Sequence, residues 1–176
     1  DGDDYVSIDG VVDDLTSDSI TLSAWIKTTS GSEGNVFASN TGSSHVLQFG
    51  IDNGNVWVDD GPDYEFGPPI NDNQWHMITF VRDGTVAYLY RDGVEVGKIS
   101  STASVLNETR WSIGQEWDSG PSDFYTGAVD DARFYNVPLS ADLVLDLFNG
   151  IEPAFVKADD PYPPDGSMYD DTWVSL

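Results

Sequence analysis

The chain has 176 residues, no cysteine and a formal net charge of −24 at pH 7, because 31 Asp and Glu residues outnumber 7 Lys and Arg residues. The length suffices for one domain with a buried core, and the absence of cysteine excludes disulfides and thiol chemistry. The charge would repel nucleic-acid phosphates and anionic lipids, and no stretch approaches the roughly 18 apolar residues of a membrane span. We therefore expect neither nucleic-acid binding nor membrane insertion.

Apolar residues recur at every second position through about the first 135 residues, a period typical of β-strands. The first clear strand is Ile20–Lys27, in which Ile20, Leu22, Ala24 and Ile26 form one apolar face. The pattern predicts an all-β protein.

Short turns join the next predicted strands into antiparallel hairpins. Residues 46–51 and 56–59 flank an Asn-Gly step, which suits the positive φ angles of a tight turn. Residues 75–81 and 85–91 flank an Asp-Gly turn, and a second Asp-Gly pair follows at once. This arrangement predicts a three-stranded antiparallel meander.

One short helix is predicted near the C-terminal end, over about residues 141–149. Ser140 can cap its start and Gly150 can end it. Leu143 and Leu147 begin an apolar stripe at helical spacing, which should dock on a sheet or close one end of a sandwich.

Carboxylates are crowded between Glu116 and Asp131, where five occur within sixteen residues and Arg133 is the cation close by. Crowded carboxylates repel one another unless a cation lies among them, and Ca²⁺ accepts carboxylate, amide and carbonyl oxygens in loose geometry. Glu116 and Asp118 are two residues apart, so an extended backbone directs both to the same side. The segment is interpreted as a calcium loop, with a solvated acidic loop as the alternative.

Five sequence blocks resemble, in order, the laminin-G-like, concanavalin A-like jelly roll, and in particular its pentraxin-like bacterial branch. They cover about residues 1–150 and read DGDDYVSI, ITLSAWIKT, QWHMITFVRDGTVAYLYRDGVEV, IGQEWDSGPSDFYTGAVDDARFYN and VPLSADLV. The resemblance implies a two-sheet antiparallel jelly-roll β-sandwich that holds ligands on a concave face or by loops at its rim.

The resemblance also implies metal ligands. Pentraxins hold two adjacent Ca²⁺ ions with a GQE-x-D loop, whose acids correspond to Glu116 and Asp118, and with a later amide ligand, in whose place Asp123 falls. Trp117 could contribute its backbone carbonyl. Residues 40–45 lack a carboxylate where pentraxins supply a further Asp-Asn pair, so a complete two-ion site is not implied.

Jelly-roll glucanases, which the chain also resembles, often carry one Ca²⁺ between a late strand and the N-terminus. Asp130 occupies the late-strand position, and Asp3 lies near the expected partner strand. The resemblance therefore implies a structural calcium site at Asp130 and Asp3. The alternative for Asp130 is a surface acid or an ion pair with Arg133.

Two aromatic residues are candidate glycan ligands. Trp117 and Tyr64 lie in predicted loops among acids and glycines, where an exposed ring can stack on a sugar. A ring folded back onto the core is the alternative. The tryptophans in strand-like segments are expected to pack between the sheets: Trp25, Trp57, Trp75 and Trp111.

The C-terminal segment differs from the rest, since prolines and acids disfavour regular structure after Gly150. We predict one domain over residues 1–152 and, over residues 153–176, a linker and the start of a module that resembles immunoglobulin or fibronectin domains. Flanking domains of the same polypeptide are then expected as partners.

No predicted strand carries the three alternating acids of the jelly-roll glucanases, so we predict no catalysis. The predicted function is a calcium-assisted module that binds a glycan or an extracellular protein, within a secreted or cell-surface multidomain protein. The alternatives are a structural spacer of an adhesin or surface array and an accessory domain of a polysaccharide-degrading enzyme.

Overall fold

The computed structural model describes residues 4–42 and 44–153 of the chain. Its strands, in chain order, are β1 (Val6–Ser7), β2 (Ile20–Lys27), β3 (Gly34–Thr41), β4 (Ser44–Asp52), β5 (Asn55–Asp59), β6 (Asp63–Phe66), β7 (His76–Asp83), β8 (Val86–Arg91), β9 (Val94–Ser100), β10 (Arg110–Ile113), β11 (Glu116–Trp117), β12 (Pro121–Ser122) and β13 (Ala128–Tyr135). A 3₁₀ turn, Asp9–Asp14, follows β1, and the helix α1 (Ala141–Phe148) follows β13.

The strands form two antiparallel sheets that pack as a sandwich. The six-stranded sheet has the order β1-β10-β3-β4-β5-β6, and the five-stranded sheet has the order β13-β2-β7-β8-β9. The short strands β11 and β12 pair only with each other in a small hairpin. The predicted all-β jelly-roll sandwich with one short helix is confirmed.

The core lies between the two sheets, where apolar residues from alternate positions of each strand meet. The predicted apolar face of β2 is buried there, with Ile20, Leu22 and Ala24 fully inaccessible to solvent. Phe49 of β4 contacts Phe80 of β7 across the sandwich, at 5.8 Å between ring centroids. The period of two in the sequence therefore identified the inward face correctly.

The predicted hairpin turns are also confirmed. Asn53 and Gly54, between β4 and β5, have φ angles of 49° and 77°, and Asp92 and Gly93, between β8 and β9, have 51° and 77°. Positive φ at both central residues gives a turn whose twist matches that of the flanking strands. The strands β7, β8 and β9 form the predicted meander.

The helix begins where it was predicted. The Ser140 side chain accepts a hydrogen bond from the backbone N–H of Leu143 at 3.3 Å, which satisfies one free donor of the first turn. Val144 and Leu147 are buried against Met77 on the outer face of the five-stranded sheet. The helix therefore docks on a sheet, which is one of the two positions predicted for it.

The expectation that most of the tryptophans in strand-like segments pack between the sheets is wrong, because only Trp111 of the four does, with its ring meeting Phe134 edge to face at 5.0 Å. Trp25 stacks on Phe148 of the helix, outside the sandwich. Trp57 is buried on the outer face of its sheet, because its neighbours in β5 are the ones that face the core. Trp75 is 43% exposed. A tryptophan in a strand can lie on either face of its sheet. Here part of the outer face of each sheet is covered, so a tryptophan can be buried outside the sandwich.

The predicted linker and following module fall almost wholly on residues 154–176, which lie outside the described residues, so that division stays a prediction. Among the described residues, no helix is both long and apolar enough to cross a membrane.

Candidate functional site

The crowded carboxylates lie on and beside the β11–β12 hairpin. Glu116 pairs with Ser122 and Trp117 with Pro121, and the N–H of Asp118 donates to the carbonyl oxygen of Gly120 at 3.0 Å to close the turn. The chain thus makes a tight turn after Asp118 and folds back on itself.

The hairpin lies over the outer face of the six-stranded sheet. Gln48 is on β4 between the core residues Leu47 and Phe49, so its side chain points away from the core. There its Nε2 donates a hydrogen bond to Oε2 of Glu116. Glu116 is only 4% exposed as a result, whereas Asp118 and Asp123 are open to solvent.

Three predicted ligands come together at this hairpin. Glu116, Asp118 and Asp123 each offer a carboxylate oxygen, and these oxygens all lie within 4.8 Å of one another. Two oxygens bound to one Ca²⁺ at about 2.3–2.6 Å can be at most about 5 Å apart, so the spacing fits a single shared ion. The donor set, all hard oxygens, also suits Ca²⁺ rather than a softer metal.

Amides from β3 hold both ends of this loop. Nδ2 of Asn40 donates to the carbonyl oxygen of Trp117 at 2.9 Å. The backbone N–H of Asn35 donates to the carbonyl oxygen of Asp123 at 3.2 Å. Asp123 has a φ of 41°, in the left-handed region that Asp and Asn tolerate better than most residues. The positions of Asp118 and Asp123 are therefore set by the strand beneath them.

Further carboxylates surround the loop and make its potential more negative. Partial burial raises the pKa of Glu33, and the carboxylates of Asp123, Asp52, Asp63 and Asp59 raise it further. The ionised form of Glu33 is thus disfavoured by its acidic neighbours, and a cation bound nearby would stabilise it.

The raised pKa values predict a fall in stability as pH rises. Burial raises the pKa of Glu33, Asp60 and Glu108 above the ordinary values of 4.5, 3.8 and 4.5. The folded chain then binds these protons more tightly than the unfolded chain, so their contribution is complete below the ordinary values and is lost as pH rises through the raised ones. In chelator, we expect the melting temperature to fall by a few degrees as pH rises from about 4, near the ordinary values, toward neutrality.

Differential scanning calorimetry across this pH range measures the effect. Glu33→Gln should reduce the fall, whereas Asp13→Asn, which removes an exposed acid that is not among those acting on Glu33, should leave it unchanged. A melting temperature that rises steadily with pH in both proteins would contradict the argument.

Trp117 lies beside the three carboxylates and is half-buried. The guanidinium carbon of Arg110 lies 4.0 Å from the centre of its ring, a cation–π contact that fixes the indole. The residue borders a cleft of about 220 Å³ that Tyr5 and Gln115 also line. Oε1 of Gln115 is buried and has no hydrogen-bond partner among the described residues. The cleft thus combines aromatic surface with unsatisfied polar groups.

Tyr64 is not in a loop, and that prediction is wrong. It lies in β6, an edge strand of the six-stranded sheet, and packs against the core with its ring 6.2 Å from that of Phe66. The flanking Gly61-Pro62 and Gly67-Pro68 suggested a loop, but pairing with β5 orders the segment as a strand. The alternation of Tyr64 and Phe66 with acids was the signal for it.

Asp130 lies apart from the hairpin, on the outer face of the five-stranded sheet, where it pairs with Trp25 of β2. The first described strand, β1, pairs with β10 in the other sheet, so the first and last strands do not share a sheet. Asp3 lies outside the described residues, and a calcium ion shared by Asp3 and Asp130 stays a prediction.

Sequence reasoning missed Gln48 and Asn35 and treated Asn40 only as part of an acid-free loop. Asn40 is in fact in β3, and its amide reaches the hairpin. No local spacing could identify these residues, because 68 residues separate Gln48 from Glu116 and 77 separate Asn40 from Trp117. The one available signal was the polar Gln48 between apolar residues of the predicted strand over residues 46–51.

The chain belongs to the Concanavalin A-like lectin/glucanases superfamily, whose family model matches residues 1–145. No functionally curated protein is significantly similar to it in sequence. The family match confirms the resemblance identified from the five sequence blocks.

Solved structures share the fold. Domain 4 of AbnA, a GH43 extracellular arabinanase from Geobacillus stearothermophilus in complex with arabinotriose, is 22% identical, with a TM-score of 0.62 over 76% of this chain and 68% of that chain. A heptameric SAP-like pentraxin from Limulus polyphemus is 19% identical, with a TM-score of 0.65 over 78% and 73%. The CBM40 of the Ruminococcus gnavus IT-sialidase, bound to α2,3 sialyllactose, is 14% identical, with a TM-score of 0.68 over 82% and 91%.

Proposed function

We propose that this chain is a non-catalytic, calcium-assisted carbohydrate-binding module. Its ligand site is the hairpin site, which we define as the carboxylates of Glu116, Asp118 and Asp123 together with Trp117 and the adjoining cleft. The observation that carries the proposal is the convergence of the three carboxylate oxygens within 4.8 Å on a loop held by amides of the sheet below.

A calcium ion at this site would supply charge neutralisation and open coordination positions for sugar hydroxyl groups. Glu116, Asp118 and Asp123 would hold it, and the carbonyl oxygen of Trp117 lies on the same hairpin. Oδ1 of Asn40 is buried and has no hydrogen-bond partner among the described residues, so it is available as a further oxygen ligand if the amide turns. Mixed carboxylate, carbonyl and amide oxygens are the set that Ca²⁺ prefers.

Carbohydrate as the ligand class is supported by the neighbours in structure. The arabinanase domain was solved with arabinotriose and the sialidase module with sialyllactose. Both are domains of enzymes that act on glycans, so the accessory-domain alternative is a special case of this proposal. A secreted or cell-surface location is part of the proposal, since the arabinanase is extracellular, and flanking domains stay a prediction from the sequence after Gly150. An extracellular protein as the ligand is the alternative within the same site.

Catalysis is not part of the proposal. Retaining glycosidases place two carboxyl groups about 5–5.5 Å apart on a rigid element, one as acid and the other as nucleophile. Here Glu116 lies on a two-residue strand and Asp118 on the turn after it, while Asp123 follows β12. This arrangement suits a shared cation better than two carboxyl groups on opposite sides of a glycosidic bond.

A glycan array with Ca²⁺ and with chelator tests the proposal. We expect binding to at least one glycan that falls at least about tenfold on chelation, as for the loss of one well-placed charged contact. Asp118→Asn should cause the same fall in Ca²⁺, and Asp123→Asn, which keeps a residue that tolerates positive φ, should do likewise.

Asp13→Asn is the matched control, because it removes one exposed negative charge that belongs neither to the hairpin nor to the lining of the cleft. Calcium-dependent binding that survives in both hairpin variants would move the ligand site elsewhere. Calcium-independent binding alone would remove the ligand site from the hairpin, and the absence of binding to any glycan would favour the structural spacer. Hydrolysis of a bound glycan would contradict the non-catalytic proposal.

A further inference from the structure

A second concave surface lies on the opposite side of the sandwich from the hairpin site. Trp25, Trp75, Asp130 and Asp131 line an open depression of about 400 Å³ on the outer face of the five-stranded sheet. We refer to it as the tryptophan depression. Its volume is within the range of about 300–1,000 Å³ that is usual for ligand pockets. None of its residues belongs to the hairpin site.

The two indoles are held in different ways. Trp25, in β2, is fixed by stacking on Phe148 of the helix, at 5.5 Å between ring centroids and 25° between planes. Trp75 precedes the first residue of β7, the strand next to β2, and is 43% exposed. A fixed aromatic ring beside an exposed one can bind the apolar face of a ligand ring, and few side chains lose conformational freedom on binding.

A β-bulge places the two carboxylates next to these rings. The register of β13 against β2 shifts between Asp130 and Arg133, and Asp131 has a φ of 48°, in the left-handed region. Bulges on edge strands re-aim side chains and are frequent beside binding sites. The bulge is the reason that two consecutive acids both reach the depression.

The hydrogen bonds of the two carboxylates differ. Asp131 accepts two hydrogen bonds from Arg133, from Nε at 2.7 Å and from Nη2 at 2.8 Å, so its charge is already paired. Oδ1 of Asp130 accepts the N–H of Asp131 at 2.8 Å, and its Oδ2 has no hydrogen-bond partner among the described residues. Asp130 thus offers an oriented acceptor on the rim of the depression.

Aromatic rings beside oriented carboxylates suit a sugar. The C–H face of a pyranose or furanose ring stacks on an indole, and its hydroxyl groups donate to carboxylate oxygens. The unpaired charge of Asp130, in a chain of net charge −24, would repel sialic, uronic and sulfated glycans. Both oxygens of Asp131 are held by Arg133, which also pairs with Glu152, so the carboxylate of Asp131 is not free to pair with a cationic side chain. The chemistry therefore favours an uncharged glycan.

We propose that the tryptophan depression is a second glycan-binding site, specific for neutral sugars and independent of calcium. It does not rest on the hairpin site, because the two sites share no residue and lie on different sheets. Two sites on opposite sides of one small module would let it bridge two glycan chains or bind one polymer with increased avidity.

The test is isothermal titration calorimetry of the full chain in excess chelator with neutral oligosaccharides of arabinose, xylose, glucose, galactose and mannose, and with sialylated and uronic ones. We expect at least one neutral series to bind. Trp75→Ala should weaken that binding at least about tenfold, as for truncation of an aromatic anchor, and Asp130→Asn should weaken it severalfold. Trp75 is exposed, so its truncation should leave the melting temperature nearly unchanged.

Leu106→Ala, another exposed apolar residue, and Asp118→Asn, in the hairpin site, are the controls, and both should bind as the unmodified chain does in chelator. Binding in chelator that is lost in Asp118→Asn and kept in Trp75→Ala would overturn the proposal. So would the failure of every neutral oligosaccharide to bind. Binding of acidic glycans or basic peptides through Trp75 would overturn the assigned sugar class. Binding through Trp75 that requires Ca²⁺ would overturn calcium independence and favour an ion at Asp130.

Discussion

Calcium should raise the melting temperature of the chelator-treated chain by roughly 5–10 °C at a concentration of about 100 times the dissociation constant. An ion that binds only the folded state at this excess contributes about 2.7 kcal/mol, and about 1 kcal/mol shifts the melting temperature of a domain of this size by about 2–4 °C. The physical source is the relief of repulsion among Glu116, Asp118 and Asp123, whose oxygens already lie within 4.8 Å of one another.

General screening has to be separated from specific binding, because any salt reduces self-repulsion in a chain of net charge −24. Mg²⁺ and NaCl at matched ionic strength measure that contribution. Asp118→Asn should lose the excess stabilisation by Ca²⁺, and Asp13→Asn should keep it. Equal responses of both variants to Ca²⁺ would mean that the ion acts by screening alone and that the hairpin holds no ion.

How much of this molecule could be predicted from its sequence depends on how many residues separate the groups that interact. Strands, turns and the helix depend on neighbours within a few residues, so the period of two in β2 and the Asn53-Gly54 turn were predictable. The acids of the hairpin were found for the same reason, since Glu116, Asp118 and Asp123 lie within eight residues. Local patterns were sufficient for the fold class and for the acids.

The remaining features depend on contacts between distant segments. The hydrogen bond from Gln48 to Glu116 exists because β4 runs beneath the hairpin, and no spacing along the chain encodes that. Tyr64 was assigned to a loop because its strand is four residues long and is ordered by pairing with β5. The β-bulge that directs Asp130 and Asp131 toward Trp25 likewise depends on the register between two strands that are distant in sequence. The second concave surface was therefore not predictable from local patterns.

Gly50→Ala should destabilise the fold by about 3 kcal/mol or more and also weaken calcium binding by at least about tenfold. Gly50, in β4, pairs with Asn35 of β3 next to a bulge in that strand. A Cβ atom on Gly50 would overlap the carbonyl oxygen of Gly34 and lie 2.9 Å from the amide nitrogen of Val36. Both are backbone atoms, so β3 has to move as a unit. Because Asn35 donates to the carbonyl oxygen of Asp123, that movement would displace a proposed ligand.

Gly97→Ala is the matched control for this coupling. A Cβ atom on Gly97, in β9, would overlap the ring of Phe66 in the opposite sheet, so it should cost about 1–3 kcal/mol by overpacking without touching the hairpin. Urea unfolding measures the stability of each variant, and calorimetric titration with Ca²⁺ at a temperature where both are folded measures the affinity. Nδ2 of Asn35 also donates to the carbonyl oxygen of Asp123, at 3.4 Å, so Asn35→Ala removes that side-chain hydrogen bond and supplies a milder displacement of Asp123 should Gly50→Ala fail to fold. If Gly50→Ala and Asn35→Ala bind Ca²⁺ as tightly as Gly97→Ala does, β3 does not set the position of Asp123, and the ion, if bound, depends on the hairpin alone.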